Sequence, residues 1–214
     1  MIWKPLPIGI DNFRKMREGK YYYIDKTLFI KELLDRKGEV NLFTRPRRFG
    51  KTLNMSMLRY FLDIEQKDIP KLFAGTKIMD TGERYLDHMG KYPVIMLTLK
   101  SMKQATYDSA FYCLKEEISR EYRMHDQILE SLDYDADREK FLRFIEMKAE
   151  PDEYLVALKF LSECLCRIYG RKAVILIDEY DVPLENAYFE GFYDKMVALI
   201  RALFESALKT NDNL

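Results

Sequence analysis

Residues 45–52 read Arg45-Pro46-Arg47-Arg48-Phe49-Gly50-Lys51-Thr52, and this stretch decides the fold. Before it, residues 41–44 read Asn-Leu-Phe-Thr and predict a short buried strand. After it, residues 53–62 carry apolar side chains at helical spacing. A loop that joins a strand to a helix and ends in Gly-Lys-Thr has the placement of a phosphate-binding loop.

The chemistry of phosphate binding accounts for most of the residue types in this loop. The predicted cradle consists of Arg47, Arg48, Phe49, Gly50, Lys51, Thr52 and Leu53. Backbone N–H groups at the helix start bind phosphate oxygens, and Gly50 lets the backbone approach them without a Cβ. Lys51 would reach the β- and γ-phosphates and assist catalysis, and the Thr52 hydroxyl would bind Mg²⁺. The usual pattern has glycine where this chain has Arg45, and Pro46 has no N–H, so the donors must come from position 47 onward.

A pair of acidic residues follows the apolar run at 173–177. Its odd- and even-numbered residues, which would face opposite sides of a sheet, are all apolar, and this predicts a strand covered on both faces. A carboxylate at the end of such a strand can meet the Mg²⁺ held beside a phosphate loop. Asp178 is the candidate Mg²⁺ ligand, and Glu179 is the candidate base that polarises the attacking water. Acidic residues also cap turns after strands, so the prediction rests on both motifs occurring in this order.

The rest of the chain predicts an α/β fold. The other predicted elements are a helix opened by Asp25 as its N-cap and closed by Gly38, a strand at 93–99, helices over 106–169 with breaks near 133–137 and at Pro151, and a last helix at 189–208. Strands alternating with helices indicate a three-layer sandwich with a mostly parallel sheet. The long helical stretch is a helix-rich insertion between the second strand and the strand before Asp178.

Composition bears on partners and location. Lys and Arg together number 35, as do Asp and Glu, so the chain has no overall charge bias toward nucleic acid or an anionic membrane. No apolar run approaches the roughly 18 to 20 residues that span a bilayer, and the first residues lack the apolar core of a signal peptide. Cys113, Cys164 and Cys166 are expected to be buried structural thiols. We therefore expect a cytoplasmic protein without a membrane partner.

Positive charge is concentrated in the loop itself. Four charges, Arg45, Arg47, Arg48 and Lys51, fall within seven residues. Arg47 or Arg48 could neutralise phosphate, or pair with Asp181 or Glu179. The alternatives are contact with a nucleic acid backbone, or plain solvation and pairing elsewhere. Zero net charge counts against nucleic acid as a partner.

Four segments together resemble one family. They are residues 6–13 (LPIGIDNF), 23–27 (YIDKT), 45–53 (RPRRFGKTL) and 177–183 (IDEYDVP). In this order, over essentially the whole chain, they resemble the AAA-ATPase-like family of bacterial and archaeal predicted P-loop ATPases, often followed by a PD-(D/E)XK-type nuclease domain. The resemblance implies a P-loop NTPase fold, with ATP and Mg²⁺ bound by Lys51, Thr52 and Asp178 and water activated by Glu179. It also makes Arg45 a family feature, and it implies that segment 23–27 approaches the adenine, although Asp25 also suits a plain helix cap.

The resemblance further implies a sheet with one more strand, which carries a polar sensor residue and lies between the strands at 41–44 and 173–177. The sequence ends at Leu214 without it, so we expect a C-terminally truncated P-loop domain over residues 1–214. Its sheet would have a gap, or the two strands would pair directly. Hydrolysis by this chain alone is expected to be slow or absent.

Three functions follow as hypotheses. The first is Mg-dependent ATP hydrolysis in the intact protein, which powers or switches an attached effector such as a nuclease. The alternatives are a nucleotide-binding switch that does not hydrolyse, and a nucleic-acid-binding domain that uses the basic loop at 45–51. A P-loop kinase is disfavoured by the Asp178-Glu179 pair.

Overall fold

The computed structural model describes residues 4–44, 49–209 and 211–214. The chain falls into two compact units that divide between Val94 and Ile95. The helices of the first unit are α1 (Phe13–Glu18), α2 (Leu28–Arg36), α3 (Lys51–Leu62), α4 (Ile69–Phe73) and α5 (Glu83–Leu86), with a 3-10 helix at Lys77–Asp80.

The segment at 6–13 is anchored to α3, the helix that follows the predicted phosphate loop. The backbone N–H of Phe13 donates to Ser56 Oγ over 2.9 Å, and Asn12 Nδ2 donates to the Tyr60 hydroxyl over 3.1 Å. The Phe13 ring is fully buried and lies 4.8 Å from the Phe73 ring and 5.5 Å from the Tyr23 ring, centroid to centroid. Burial of so large a ring fixes α1 against α3 and α4.

Asp25 acts before α2 without being its N-cap. The N-cap is Thr27, two residues later, so the predicted cap position is wrong. Its carboxylate accepts hydrogen bonds from Thr27 N (2.8 Å), Thr27 Oγ1 (2.7 Å) and Lys77 N (2.8 Å). Burial opposes ionisation, but these hydrogen bonds outweigh it and hold the pKa of Asp25 below its ordinary value. The helix ends at Arg36, and its C-cap is the left-handed Lys37, one residue before the predicted closing residue Gly38.

Residues 41–44 form no strand, so the buried strand predicted there is wrong. The segment is irregular, and the Leu42 side chain is 69% exposed. Phe43 is the partial exception, because its ring packs edge-on against Phe29 at 4.9 Å. An extended segment is held by ladder hydrogen bonds to a neighbour, and within the described part of this unit no strand pairs with it. Of the two alternatives for the sheet, direct strand pairing of this segment with 173–177 is wrong as well, because the segment is not a strand.

The second unit contains the sheet and the remaining helices. Its elements are β1 (Val94–Thr98, whose first residue lies on the other side of the division), α6 (Tyr107–Met124), α7 (Asp135–Ile145), α8 (Pro151–Tyr154), α9 (Ala157–Tyr169), β2 (Val174–Asp178), α10 (Val182–Glu190) and α11 (Tyr193–Leu208), with 3-10 helices at Lys100–Met102 and Asp126–Ser131.

β1 and β2 are parallel neighbours, and α6 to α9 lie between them in the chain. Beyond the last residue of β1, Leu99 N donates to Asp178 O over 3.0 Å, so the pairing continues to the carboxyl ends of both strands. The predicted strands at 93–99 and 173–177 and the helix-rich stretch between them are confirmed. The chain is a mixed α/β protein.

The predicted last helix at 189–208 corresponds to α11, which ends at Leu208 as predicted but begins four residues later than predicted. α10 ends at Glu190, and Gly191 closes it with φ 82°, a left-handed conformation that suits glycine. α11 then begins at Tyr193. The predicted breaks of the long helical stretch near 133–137 and at Pro151 are confirmed.

The cysteines agree in part with expectation. Cys164 is buried, and burial raises the pKa of its thiol to about 12. Cys113 and Cys166 are only partly buried. Within the described ranges, no helix is both long enough and apolar enough to cross a bilayer.

Candidate functional site

The described part of the phosphate loop begins at Phe49 and leads directly into α3. Gly50 is the N-cap, with φ 78° and ψ 27°, and Lys51 is the first helical residue. A left-handed conformation is costly for residues with a Cβ, so glycine is required here for the chain to enter the helix. Arg47 and Arg48, predicted to contribute to the cradle, lie outside the described residues, and their roles stay predictions.

The first turn of α3 keeps its N–H groups available. Asn54 N donates to Gly50 O over 2.9 Å, the first hydrogen bond within the helix. No side chain caps the turn, and the N–H groups of Lys51, Thr52 and Leu53 have no acceptor among the residues that the structure describes. Unpaired N–H groups at the positive end of a helix dipole form a site suited to an anion. The donor chemistry of the turn therefore fits a phosphate group.

The acidic pair lies at the carboxyl end of β2. Asp178 is the last residue of the strand and is 5% exposed, and Glu179 follows it, partly buried. Glu179 has φ 53°, and its backbone N–H donates to Asp178 Oδ1 over 3.0 Å. A residue other than glycine in this conformation is strained by about 1–2 kcal/mol. Such strain is concentrated at functional sites, where it directs a side chain that a relaxed backbone would point elsewhere.

This backbone conformation gives a prediction about stability. Glu179→Gly and Glu179→Ala both remove the carboxylate, but only glycine relieves the left-handed strain. We expect Glu179→Gly to be more stable than Glu179→Ala by about 0.5–1 kcal/mol, since glycine's entropy offsets part of the gain. Chemical denaturation of the two variants measures the difference. Equal stabilities, or a more stable alanine variant, would show that position 179 is not held in this conformation.

The predicted residues fall in both units of the chain. Lys51, Thr52 and their neighbours belong to the first unit, and Asp178 and Glu179 belong to the second. That Thr52 and Asp178 bind one Mg²⁺, with Lys51 on the phosphates and Glu179 beside the attacking water, stays a prediction. Within the described residues, no three His, Cys, Asp or Glu side chains gather as a metal site. Mg²⁺ with a nucleotide needs no such cluster, because phosphates and waters supply most of its ligands.

Lys26, which lies near the loop, was not identified as a candidate site residue from the sequence. Lys26 Nζ lies 3.4 Å from the carbonyl oxygen of Phe49. A Cβ placed on Gly50 would lie 3.9 Å from the same ammonium group. The available signal was the basic residue within segment 23–27, but nothing in the sequence says that its side chain points toward the loop.

Two comparisons with known proteins give matches. A family model described as "Predicted AAA-ATPase" matches residues 7–214. The "Uncharacterized protein in vnfD 5'region" of Azotobacter chroococcum mcd 1 is 31% identical over 186 residues, which cover 85% of this chain and 30% of that protein. The chain thus spans less than a third of that relative's length. No solved structure gives a significant match.

Proposed function

The chain belongs to the AAA-ATPase-like family, and from that premise we propose that it binds Mg-ATP through the loop ending at Thr52 and the acidic pair at Asp178. Family membership supports binding of a nucleotide. The observation that carries the proposal is the first turn of α3, where three N–H groups follow a left-handed Gly50 and the first helical residues are Lys51 and Thr52.

Each proposed role follows from the chemistry of the side chain. Lys51 places a positive charge against the triphosphate, and the Thr52 hydroxyl and the Asp178 carboxylate bind Mg²⁺. Bound Mg-ATP supplies a terminal phosphoryl group whose negative charge the metal neutralises. Glu179 accepts the proton of the attacking water, a role that a pure binding module would not need. The strained backbone at Glu179 supports this assignment, because backbone strain of this kind is more frequent at functional sites.

The same proposal includes finer features of the fold and of the function. They comprise the three-layer P-loop sandwich, hydrolysis of ATP in a longer protein, and coupling of hydrolysis to an effector such as a nuclease. The support is the family match over residues 7–214 together with the greater length of the Azotobacter relative.

A binding titration tests the proposal directly. We expect this chain to bind Mg-ATP, and we expect Lys51→Ala to weaken the affinity more than about tenfold, because charge-assisted hydrogen bonds to phosphate are lost. Mg-GTP titrated in parallel reports base preference. The matched control is Lys71→Ala, which removes an exposed lysine from α4. If Lys51→Ala lowers the affinity no more than Lys71→Ala does, the assignment of the loop is contradicted.

A further inference from the structure

The segment before α2 is held in place by contacts on both sides of Lys26. On its C-terminal side, Thr27 is fully buried, and its hydroxyl donates to Asp25 Oδ1 and accepts from Ile78 N over 3.0 Å. On the N-terminal side, the Tyr23 hydroxyl accepts from Lys26 N over 3.3 Å and donates to Met57 Sδ over 3.6 Å. These contacts tie the backbone of Lys26 to the 3-10 helix at Lys77–Asp80 and to α3. The backbone at Lys26 is therefore held in place, and its side chain starts from a defined position.

The side chain of Lys26 ends beside the phosphate loop. Its ammonium group has a single described partner, the carbonyl oxygen of Phe49 at 3.4 Å, and no carboxylate of the described residues pairs with it. An ammonium group can donate three hydrogen bonds, so this contact leaves donors available. The next two residues of the loop are Gly50 and Lys51, which begins α3. Two lysines of like charge are thus held near one helix N-terminus, an arrangement that a bound polyanion stabilises.

From this placement we infer that Lys26 is a second phosphate-binding lysine, which leaves the Phe49 carbonyl to donate to a phosphate oxygen of the bound nucleotide. The inference rests on the proposed function and deepens it, since it assigns a residue outside the loop to the same site. Its charge adds to that of Lys51, so a triphosphate gains more from it than a diphosphate. The fixed segment 23–27 then acts as a wall of the phosphate site.

The test is a titration of the 214-residue chain with Mg-ATP and with Mg-ADP. The variant Lys26→Gln keeps a side-chain N–H donor but carries no charge, and Lys26→Arg keeps the charge. We expect Lys26→Gln to lose about tenfold in affinity for Mg-ATP and clearly less for Mg-ADP, as for loss of one charge-assisted contact. Lys26→Arg should retain most of the affinity. The melting temperature of the unliganded protein should change little, because Lys26 is exposed and its contact with Phe49 lies at the surface.

Two controls separate failure of this inference from failure of the proposed function. Lys71→Gln removes a similarly exposed lysine, and Lys51→Ala reports on the loop itself. If Lys51→Ala weakens the affinity for ATP but Lys26→Gln lowers it no more than Lys71→Gln does, only the role of Lys26 is overturned. An equal loss for ATP and ADP in Lys26→Gln would also overturn it, because the lysine would then act through loop shape. Absence of Mg-ATP binding by the unmodified chain would overturn both.

Discussion

Glu179→Gln is expected to leave the affinity for Mg-ATP within about twofold of the unmodified protein and to lower phosphate release about 100-fold or more. Glutamine keeps the size of the side chain and its place after β2, but it cannot accept the proton of the attacking water. The nucleotide contacts proposed for Lys51, Thr52 and Asp178 are untouched. The result would separate hydrolysis from binding, and so decide between an ATPase and a nucleotide-binding switch.

The measurement needs a form of the protein that turns over. The Azotobacter relative is longer than this chain, so the assay compares the chain with a version extended by about 100 residues, a further domain's worth of chain. Glu179→Gln is introduced into both, with Glu190→Gln, at the exposed last residue of α10, as a matched control. Unchanged turnover in Glu179→Gln would show that Glu179 does not act as the base in hydrolysis. Equal turnover in the short and extended forms would remove the need for further chain.

Tyr122→Ala is expected to destabilise the protein by about 3–5 kcal/mol, the range for removing a fully buried aromatic ring. Tyr122 lies in the middle of the second unit's core, fully buried, with ring centroids 4.7 Å from Phe141 and 4.6 Å from Phe144. Its hydroxyl donates to Ala157 O over 2.7 Å. Burial raises the pKa of this hydroxyl well above its ordinary value, so it stays protonated as a donor. The side chain thus joins α6, α7 and α9.

One further variant separates the contribution of the hydroxyl from that of the ring, and another serves as a control. Tyr122→Phe keeps the ring and removes one hydrogen bond, so a loss of about 1 kcal/mol is expected. Tyr112→Ala changes an exposed tyrosine of the same helix and should stay within about 0.5 kcal/mol of the unmodified protein. Urea denaturation followed by circular dichroism measures all three. A loss in Tyr122→Ala no larger than in Tyr112→Ala would mean that this ring is not central to the core.

Local patterns were sufficient for the elements with a strong signal. Residues 173–177 are apolar on both parities, and the strand found there differs from the prediction by one residue. The helix after the loop was placed correctly because glycine and the apolar spacing of 53–62 mark it clearly. Gly191 was a usable signal for the end of α10 that the sequence reasoning passed over.

The errors have a common physical origin in contacts between distant residues. Asp25 lies two residues before the N-cap of α2, and its carboxylate binds the backbone of Thr27 and of the distant Lys77, a partner that no local pattern encodes. Residues 41–44 resemble a strand locally, but a strand also requires a neighbour. Of the candidate site, residue types and their order could be predicted, whereas the strain at Glu179 and the direction of Lys26 depend on the folded backbone.

The pairing of β1 with β2 has a consequence for how the second unit folds. The two strands are parallel and separated in sequence by the whole run from α6 to α9, so their contacts have high contact order. The helices can form early from neighbouring residues, but the ladder must wait until the entire crossover has been synthesised and collapsed. During translation, Asp178 and Glu179 would therefore reach their final positions late, after most of the helical core has formed.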